Sequence, residues 1–335
     1  MKKFNLNLQL FAETVNVTTQ ESLSAEMKTF YDKNLIREAQ ANLIHDQFGQ
    51  KKPIPKGNGK KIEFRKFASL PKALTPLTEG VTPKGSNISV EKVEAEIKQY
   101  GNFAVQSDLL ELTAIDPVIV ETTTVLGNQA GATLDTVVRD ILNSGTNVYY
   151  APIVATNGSR TEVTSRANLT MESRMTANLV KRIVTKLKSV NAPKIDGFYV
   201  AIIHPHVAFD LMSDPEWINV QNYATPENML KGELGKLGGC RFVESTEAKV
   251  FAGEGCPEGL AVYSTLFLGA NAYGVTELEG GGLETIIKQK GSGDDPLNQR
   301  SSIGWKATRT AEILIPAYLV RCESCSEFSA TTAAN

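Results

Sequence analysis

Residues Asp116–Ser144 constrain the fold of this chain more than any other stretch. Asp116-Pro117 reads as a helix start, since Asp can accept the first free backbone N–H groups and Pro suits the first helical position. Leu126, Ala130, Leu134, Val137 and Ile141 then follow at steps of four, four, three and four. That spacing predicts an apolar stripe along a helix of about seven turns, roughly 40 Å long. Asn143-Ser144-Gly145 supplies the stop. Gly127 and Gly131 weaken such a helix by up to about 1 kcal/mol each relative to Ala, so packing has to hold it. Whatever precedes and follows must be laid on this spine.

The chain has 335 residues, enough for one large core or two modest ones. With 41% hydrophobic and 21% charged residues it reads as a folded globular protein. Its 35 basic and 37 acidic residues leave a net charge of −2, which argues against a dedicated nucleic-acid binder. Four cysteines and three histidines are too few for a disulfide framework, and reduced thiols are the expectation. Lys2-Lys3 ahead of Phe4, Leu6, Leu8, Leu10, Phe11 and Ala12 has the outline of a signal peptide. Asn5, Asn7 and Gln9 interrupt the apolar run, so a flexible arm is the preferred reading. No segment approaches a membrane span of about 18 apolar residues.

Residues 22–48 are expected to be helical, with Leu23, Met27, Phe30, Leu35, Leu43 and Ile44 as a rough stripe ended by Gly49. Residues 51–105 follow a different pattern. Ile62, Phe64 and Phe67 mark one strand, and Val93, Ala95, Ile97 and Phe103 mark a long return strand. Pro71, Pro76, Gly80, Pro83 and Gly85 lie between them as a tip of turn residues. A two-stranded ribbon of this kind is not stable alone in water. It is also basic: residues 51–100 hold eleven Lys or Arg, among them Arg65, Lys72 and Lys84, against five Glu, including Glu79. Taking that +6 from the total of −2 leaves the rest of the chain at −8. Three readings are open. Edge lysines discourage aggregation; a basic arm can lie across an acidic surface of another copy; or it can meet nucleic acid, for which aromatic interleaving is poor.

After the spine, residues 145–169 are loop-rich, with a turn at Asn157-Gly158-Ser159. Thr170 reads as an N-cap for a helix carrying Met171, Met175, Leu179, Ile183, Leu187 and Val190. Phe198–Ile203 reads as a buried strand, His204-Pro205 as a corner, and His206–Met212 as a short helix. Asp214-Pro215-Glu216-Trp217 is a turn with a packing tryptophan, and Cys240–Glu244, Leu260–Leu268, Leu283–Gln289 and Ile313–Arg321 are strand-like runs. The order predicts an α+β domain. Residues 326–335 are small and polar and are expected to be disordered.

Motifs for chemistry are weak. His204-Pro205-His206 lacks a third ligand at metal-binding spacing. Cys322-Glu323-Ser324-Cys325 matches C-x-x-C but follows a strand instead of opening a helix. Gly57-Asn58-Gly59-Lys60-Lys61 lacks the phosphate-loop spacing, and no hydrolase or zinc-protease motif is present. No catalytic, cofactor or metal residue is assigned, and no enzyme activity is expected.

The order of parts is more informative: arm and helix, long basic ribbon, long spine, compact α+β domain. A ribbon that cannot bury itself suits a self-assembling protein. Asn5–Ala12 (NLNLQLFA), Leu77–Pro83 with Gln99–Phe103 and Ser107-Asp108, Tyr199–Pro205 (YVAIIHP), Asp214–Trp217, Arg241–Phe251, Asp295–Arg300, Gly304–Lys306 and Ile315–Arg321 resemble, in that order, segments of tailed-bacteriophage major capsid proteins with the Hong Kong 97-type fold. The resemblance spans roughly residues 5–325 and implies several things. Residues 1–50 would be arm and helix, 51–105 an extended loop reaching over an adjacent subunit, 106–170 the spine and peripheral domain, and 171–325 the axial domain. Arg65, Lys72, Leu77, Glu79 and Lys84 would lie at intersubunit contacts. Copies would form the pentamers and hexamers of an icosahedral virion shell around double-stranded DNA, assembled in the bacterial cytoplasm. The short N-terminus implies a separate scaffolding protein, with a portal as further partner, no cofactor and no membrane. A cellular nanocompartment shell of the same fold, or a redox or metal protein built on Cys322 and Cys325, are the alternatives.

Overall fold

The stretch with helical period forms one continuous helix, Val118–Asn143. The computed structural model describes residues 32–39, 42–57, 59–67, 70, 72–76, 79–80, 82, 85–113, 118–155, 158–218, 235–288, 290, 295 and 297–335. The Asp116-Pro117 cap, the N-terminal arm and Asn157 lie outside these residues.

The spine buries Leu126, Ala130, Leu134, Val138 and Leu142. Val137 and Ile141, expected on the stripe, are only half-buried. The same face also buries Thr123, Asp135, Arg139 and Asn143, so the true stripe is partly polar. Each fully buried Leu or Val contributes about 1.5–3 kcal/mol, which outweighs the cost of two helical glycines. Those glycines have a packing role. A Cβ on Gly131 would stand 2.5 Å from the Ala39 carbonyl oxygen, and one on Gly127 2.9 Å from that of Leu35. The helix at 32–39 thus lies backbone-to-backbone against the spine, burying Leu35 and Ala39.

The first helix does not run on to residue 48 as expected, because residues 45–48 form turns. The His45 backbone N–H donates to Asp135 Oδ1 at 2.7 Å, and its ring Nδ1 meets Asp135 Oδ2 at 2.6 Å. A buried side chain on the spine therefore captures the chain and redirects it. Gly49 is required at that point, since a Cβ there would stand 2.5 Å from the Tyr273 ring.

Two sheets pack against the spine. In the first, the 14-residue strand Arg300–Ile313 is central. It pairs antiparallel with Lys98–Ser107 on one edge, with Glu284–Lys288 on the other, and with Tyr273–Thr276 at its far end. Ile303, Trp305 and Ala307 alternate inward onto Leu126, Ala130 and Leu134. The expected single strand Ile313–Arg321 is instead the end of this long strand, a 3-10 turn at Pro316–Tyr318, and a separate strand Leu319–Ser324. Pro316 lacks the N–H that a continuing ladder would need.

The second sheet runs in the order Val148–Tyr150, Leu319–Ser324, Val262–Leu268, Tyr199–Ile203, Cys240–Glu244, Lys236–Leu237, with Val250–Phe251 beside Val262. Tyr199–Ile203 and Val262–Leu268 are buried at every position, as apolar runs in the middle of a sheet should be. One face packs on Val138 and Leu142 of the spine. The other receives the helix Ala177–Ser189, whose Leu179, Val180, Ile183, Val184 and Leu187 are buried. That helix starts later than expected. Thr176, not Thr170, is the cap, its hydroxyl accepting from the Leu179 N–H at 3.3 Å. Thr170 instead belongs to a turn closed by the Ser173 N–H. The spine therefore joins the two sheets, its first half under one and its second half under the other.

The C-terminal residues 326–335, expected to be disordered, lie against the second sheet. Ser326 is fully buried, the Ala261 N–H donates to the Ala330 carbonyl at 2.6 Å, and the Val250 N–H donates to Asn335 Oδ1 at 2.8 Å. Phe328 lies 4.7 Å from the His206 ring. Small polar composition looked unstructured, but sheet-edge groups distant in sequence give it partners.

Candidate functional site

The ribbon is the part of the molecule least able to bury itself. Lys61–Phe67 pairs antiparallel with Val90–Glu96 over seven residues. The return strand ends at Glu96; Phe103, expected to continue it, lies on Lys98–Ser107 of the first sheet. Only one face at the ribbon's base is covered, where Ile62, Phe64 and Ala95 meet Ile54 and Leu314. Gly274 makes room there, since its Cβ would lie 2.6 Å from the Phe64 ring.

The other face is charged. Lys61 and Glu94 lie 3.7 Å apart there and Lys92 and Glu63 3.2 Å, while Lys66 and Glu91, 3.4 Å apart, continue the covered face past its apolar residues. These pairs are exposed, and each is worth at most about 1 kcal/mol. They set register by offsetting the like charges that stand directly opposite, Glu63 against Glu94 and Arg65 against Lys92. Arg65 reaches Glu63 only at 4.0 Å and is largely exposed. Beyond the paired strands Lys72 and Glu79 are exposed, while Leu77 and Lys84 lie outside the described residues. Leu74 is 81% exposed and Ile88 63%, an arrangement that isolated solubility would disfavour.

A second exposed apolar surface sits on the body. On Lys98–Ser107, Asn102 and Gln106 turn toward the spine, bonding Gln129 at 3.0 Å and the Thr122 hydroxyl. The alternation of a strand then sends Phe103 and Val105 to the far face, where they are 68% and 54% exposed. Gly304 opposite Phe103 deepens this face, as a Cβ there would be 2.7 Å from that of Phe103. Leu109 and Leu110 extend it. Sequence reading placed Phe103 in the ribbon and so missed this surface; its signal was the Phe103-x-Val105 alternation.

The residues examined for chemistry occupy structural positions. His204 caps the helix Pro205–Met212, its Nδ1 accepting from the His206 N–H at 3.1 Å. Burial, then the neighbouring His206, push the His204 imidazole down to about 4. Cys322 is fully buried and Cys325 nearly so. Burial raises both thiols, Cys325 to about 11, away from the thiolate form that redox chemistry requires. Between them Glu323, fully buried, accepts two bonds of 2.7 Å from Arg166 and lies 3.0 Å from Arg321. Among the described residues no group of three or more His, Cys, Asp or Glu is placed to hold a metal ion. No described helix is long and apolar enough to cross a membrane.

A search of curated proteins finds no match to the sequence. Solved structures do match the fold. The chain aligns with the capsid of the cyanophage P-SCSP1u at a TM-score of 0.64 and 15% identity, covering 84% of this chain and 87% of that one. For the capsid of Ralstonia phage GP4 the TM-score is 0.65 at 15% identity, covering 85% and 88%. For the acid-stable capsid of Helicobacter pylori bacteriophage KHP30 it is 0.58 at 12% identity, covering 84% and 89%. The profile of the phage capsid protein family matches residues 104–291, more than half of the 335-residue chain. That match begins at Ala104, next to Val105 on the strand with the exposed face, and runs through the spine and most of the second sheet. The chain belongs to the phage capsid protein family, with the α+β fold of Hong Kong 97-type shells.

Proposed function

We propose that the ribbon and its tip are the clasp by which one copy of this capsid protein holds the next. The observation that carries this reading is the exposure of Leu74 and Ile88 beyond a ribbon anchored only at its base. A neighbour's body offers a matching surface in Phe103, Val105 and Leu109. Apolar contact supplies the affinity, while Arg65, Lys72, Leu77, Glu79 and Lys84 set register by charge and shape. Each clasp is individually weak, and closure of the shell makes the sum large.

In this reading residues 1–50 form the arm and first helix, 51–105 the extended loop, 106–170 the spine and peripheral part, and 171–325 the axial part. The strand at 98–107 belongs to the loop region by sequence order and to the body by pairing. Copies form pentamers and hexamers of an icosahedral shell around double-stranded DNA. The shell is assembled in the host cytoplasm with a separate scaffolding protein and a portal. Contact with DNA is nonspecific, in keeping with a net charge of −2.

Deletion of residues 68–86 tests the clasp. The expected product is a soluble subunit with unchanged circular dichroism that sediments as a monomer. Normal shells from the deleted protein would refute it.

A further inference from the structure

The strand Lys98–Ser107 is paired on one side only. Its partner is Arg300–Ile313, and among the described residues no strand borders its other edge. Backbone parity identifies the groups on that edge. The Asp108 N–H, just past the strand, donates to the Gln299 carbonyl at 2.9 Å, toward the long strand. The Ile97 N–H, just before the strand and of the other parity, donates to the Lys60 carbonyl at 2.9 Å. Phe103 shares that second parity, and its N–H donates to Asn102 Oδ1 of its own strand at 2.9 Å. Alternate residues of an antiparallel strand bond to opposite sides, so the N–H and C=O groups of Gln99, Gly101, Phe103, Val105 and Ser107 point outward. Charges and prolines are what usually keep such an edge from pairing. Gln99–Ser107 contains neither, and most of it is exposed. Lys98 stands at one end of this uncharged run and Asp108 at the other.

We infer that this edge pairs with the same edge of a second copy, antiparallel about a two-fold axis at Phe103. Lys98 and Asp108 each lie five residues from Phe103, so this register sets Lys98 of each copy opposite Asp108 of the other. An axis at Gly101 would instead set Asp108 against Glu94. At the chosen register Phe103 faces Phe103 and Val105 faces Gly101, all of them residues whose backbone groups point outward. The ribbon strands are poorer partners, because their alternating Lys and Glu would face an uncharged edge. The contact is isologous, and a closed shell with two-fold axes accommodates it. It goes beyond the clasp, since it uses the edge of the strand and leaves the far face to the ribbon. One strand pair is a small interface, so it acts within an assembly and does not hold two free subunits together.

Disulfide trapping tests the register. Cys256→Ser in the full-length protein removes the one cysteine that is not buried. Phe103→Cys is added, and the concentrated subunit and the assembled product are each oxidised with copper phenanthroline and run on a non-reducing gel. A dimer band is expected, because residues paired at the axis stand about 5.5 Å apart, within bridging range. With Val105→Cys instead, the two positions stand about 14 Å apart along the strands, beyond any bridge, and the yield should be about tenfold lower or less. Adding Val105→Pro to Phe103→Cys removes an outward N–H and leaves the ladder to Arg300–Ile313 intact. It should cut the yield about tenfold with circular dichroism unchanged. Equal yields at the two positions, a proline without effect, or no dimer in either preparation would overturn the inference.

Discussion

Gly131→Ala sets two effects of opposite sign against each other, and the structure decides which prevails. In an exposed helix interior the change stabilises by about 1 kcal/mol, because Ala loses less backbone entropy than Gly. Here the new methyl would stand 2.5 Å from the Ala39 carbonyl oxygen, 2.9 Å from Asn42 Cβ and 3.0 Å from Ala39 Cα. Two of these atoms are backbone, so a side-chain rotation cannot relieve the clash. The first helix would have to retreat by about 1 Å, partly undoing the contacts of Leu35 and Ala39. Overpacking of this kind costs about 1–3 kcal/mol. The expected net effect is a destabilisation of about 0–2 kcal/mol, centred near 1. At Gly127 the corresponding contacts begin at 2.9 Å, so Gly127→Ala should cost less. Urea unfolding of the soluble subunit, followed by Trp305 fluorescence in a Trp217→Phe background, reads the right region, because Trp305 packs in the same cluster as Leu35 and Ala39. A higher midpoint for Gly131→Ala would refute the close helix crossing.

Two further substitutions probe the second sheet. Glu323→Ala leaves Arg166 and Arg321 facing an empty, desolvated position and should destabilise by about 3 kcal/mol, measured by the same urea titration; a loss near zero would mean that the pair is not buried as described. His204 has a folded value of about 4 against an ordinary 6.5, so the unfolded chain takes up the proton first. Its contribution is therefore present above pH 6.5 and is lost as pH falls toward 4. His204→Asn keeps a capping acceptor without a titrating group and should flatten the stability profile over that window; an unchanged slope would contradict the assignment.

The spine was legible because its period extends over 26 residues. The drift toward Val137 and Ile141 arose from following apolar residues only, whereas the buried face also carries Asp135, Arg139 and Asn143. Each of these has a local or long-range partner. Asn143 accepts from the Ser264 hydroxyl at 2.5 Å, and the Arg139 guanidinium donates to the Glu247 carbonyl at 2.9 Å. Such pairing needs residues more than a hundred positions away, which no local pattern encodes. Arg300–Ile313 escaped notice for a related reason. Ile303, Trp305 and Ala307 do alternate, but Gly304 and Lys306 between them are poor strand formers and dilute the signal. Thr170 and Thr176 are equally good caps by type, and only packing of the following helix chooses between them. Of the residues proposed as contacts, Arg65, Lys72 and Glu79 are exposed on the ribbon or its tip, where charge and turn residues put them. The exposed face at Phe103 was not legible, since one strand had been read where there are two.

Electron microscopy of the purified full-length protein, expressed with the neighbouring genes of its source genome and weighed by light scattering, tests the central claim most directly. Membership of the phage capsid family predicts closed shells built from many copies, with rings of five or six among incomplete products. A monomer that persists under those conditions would contradict it.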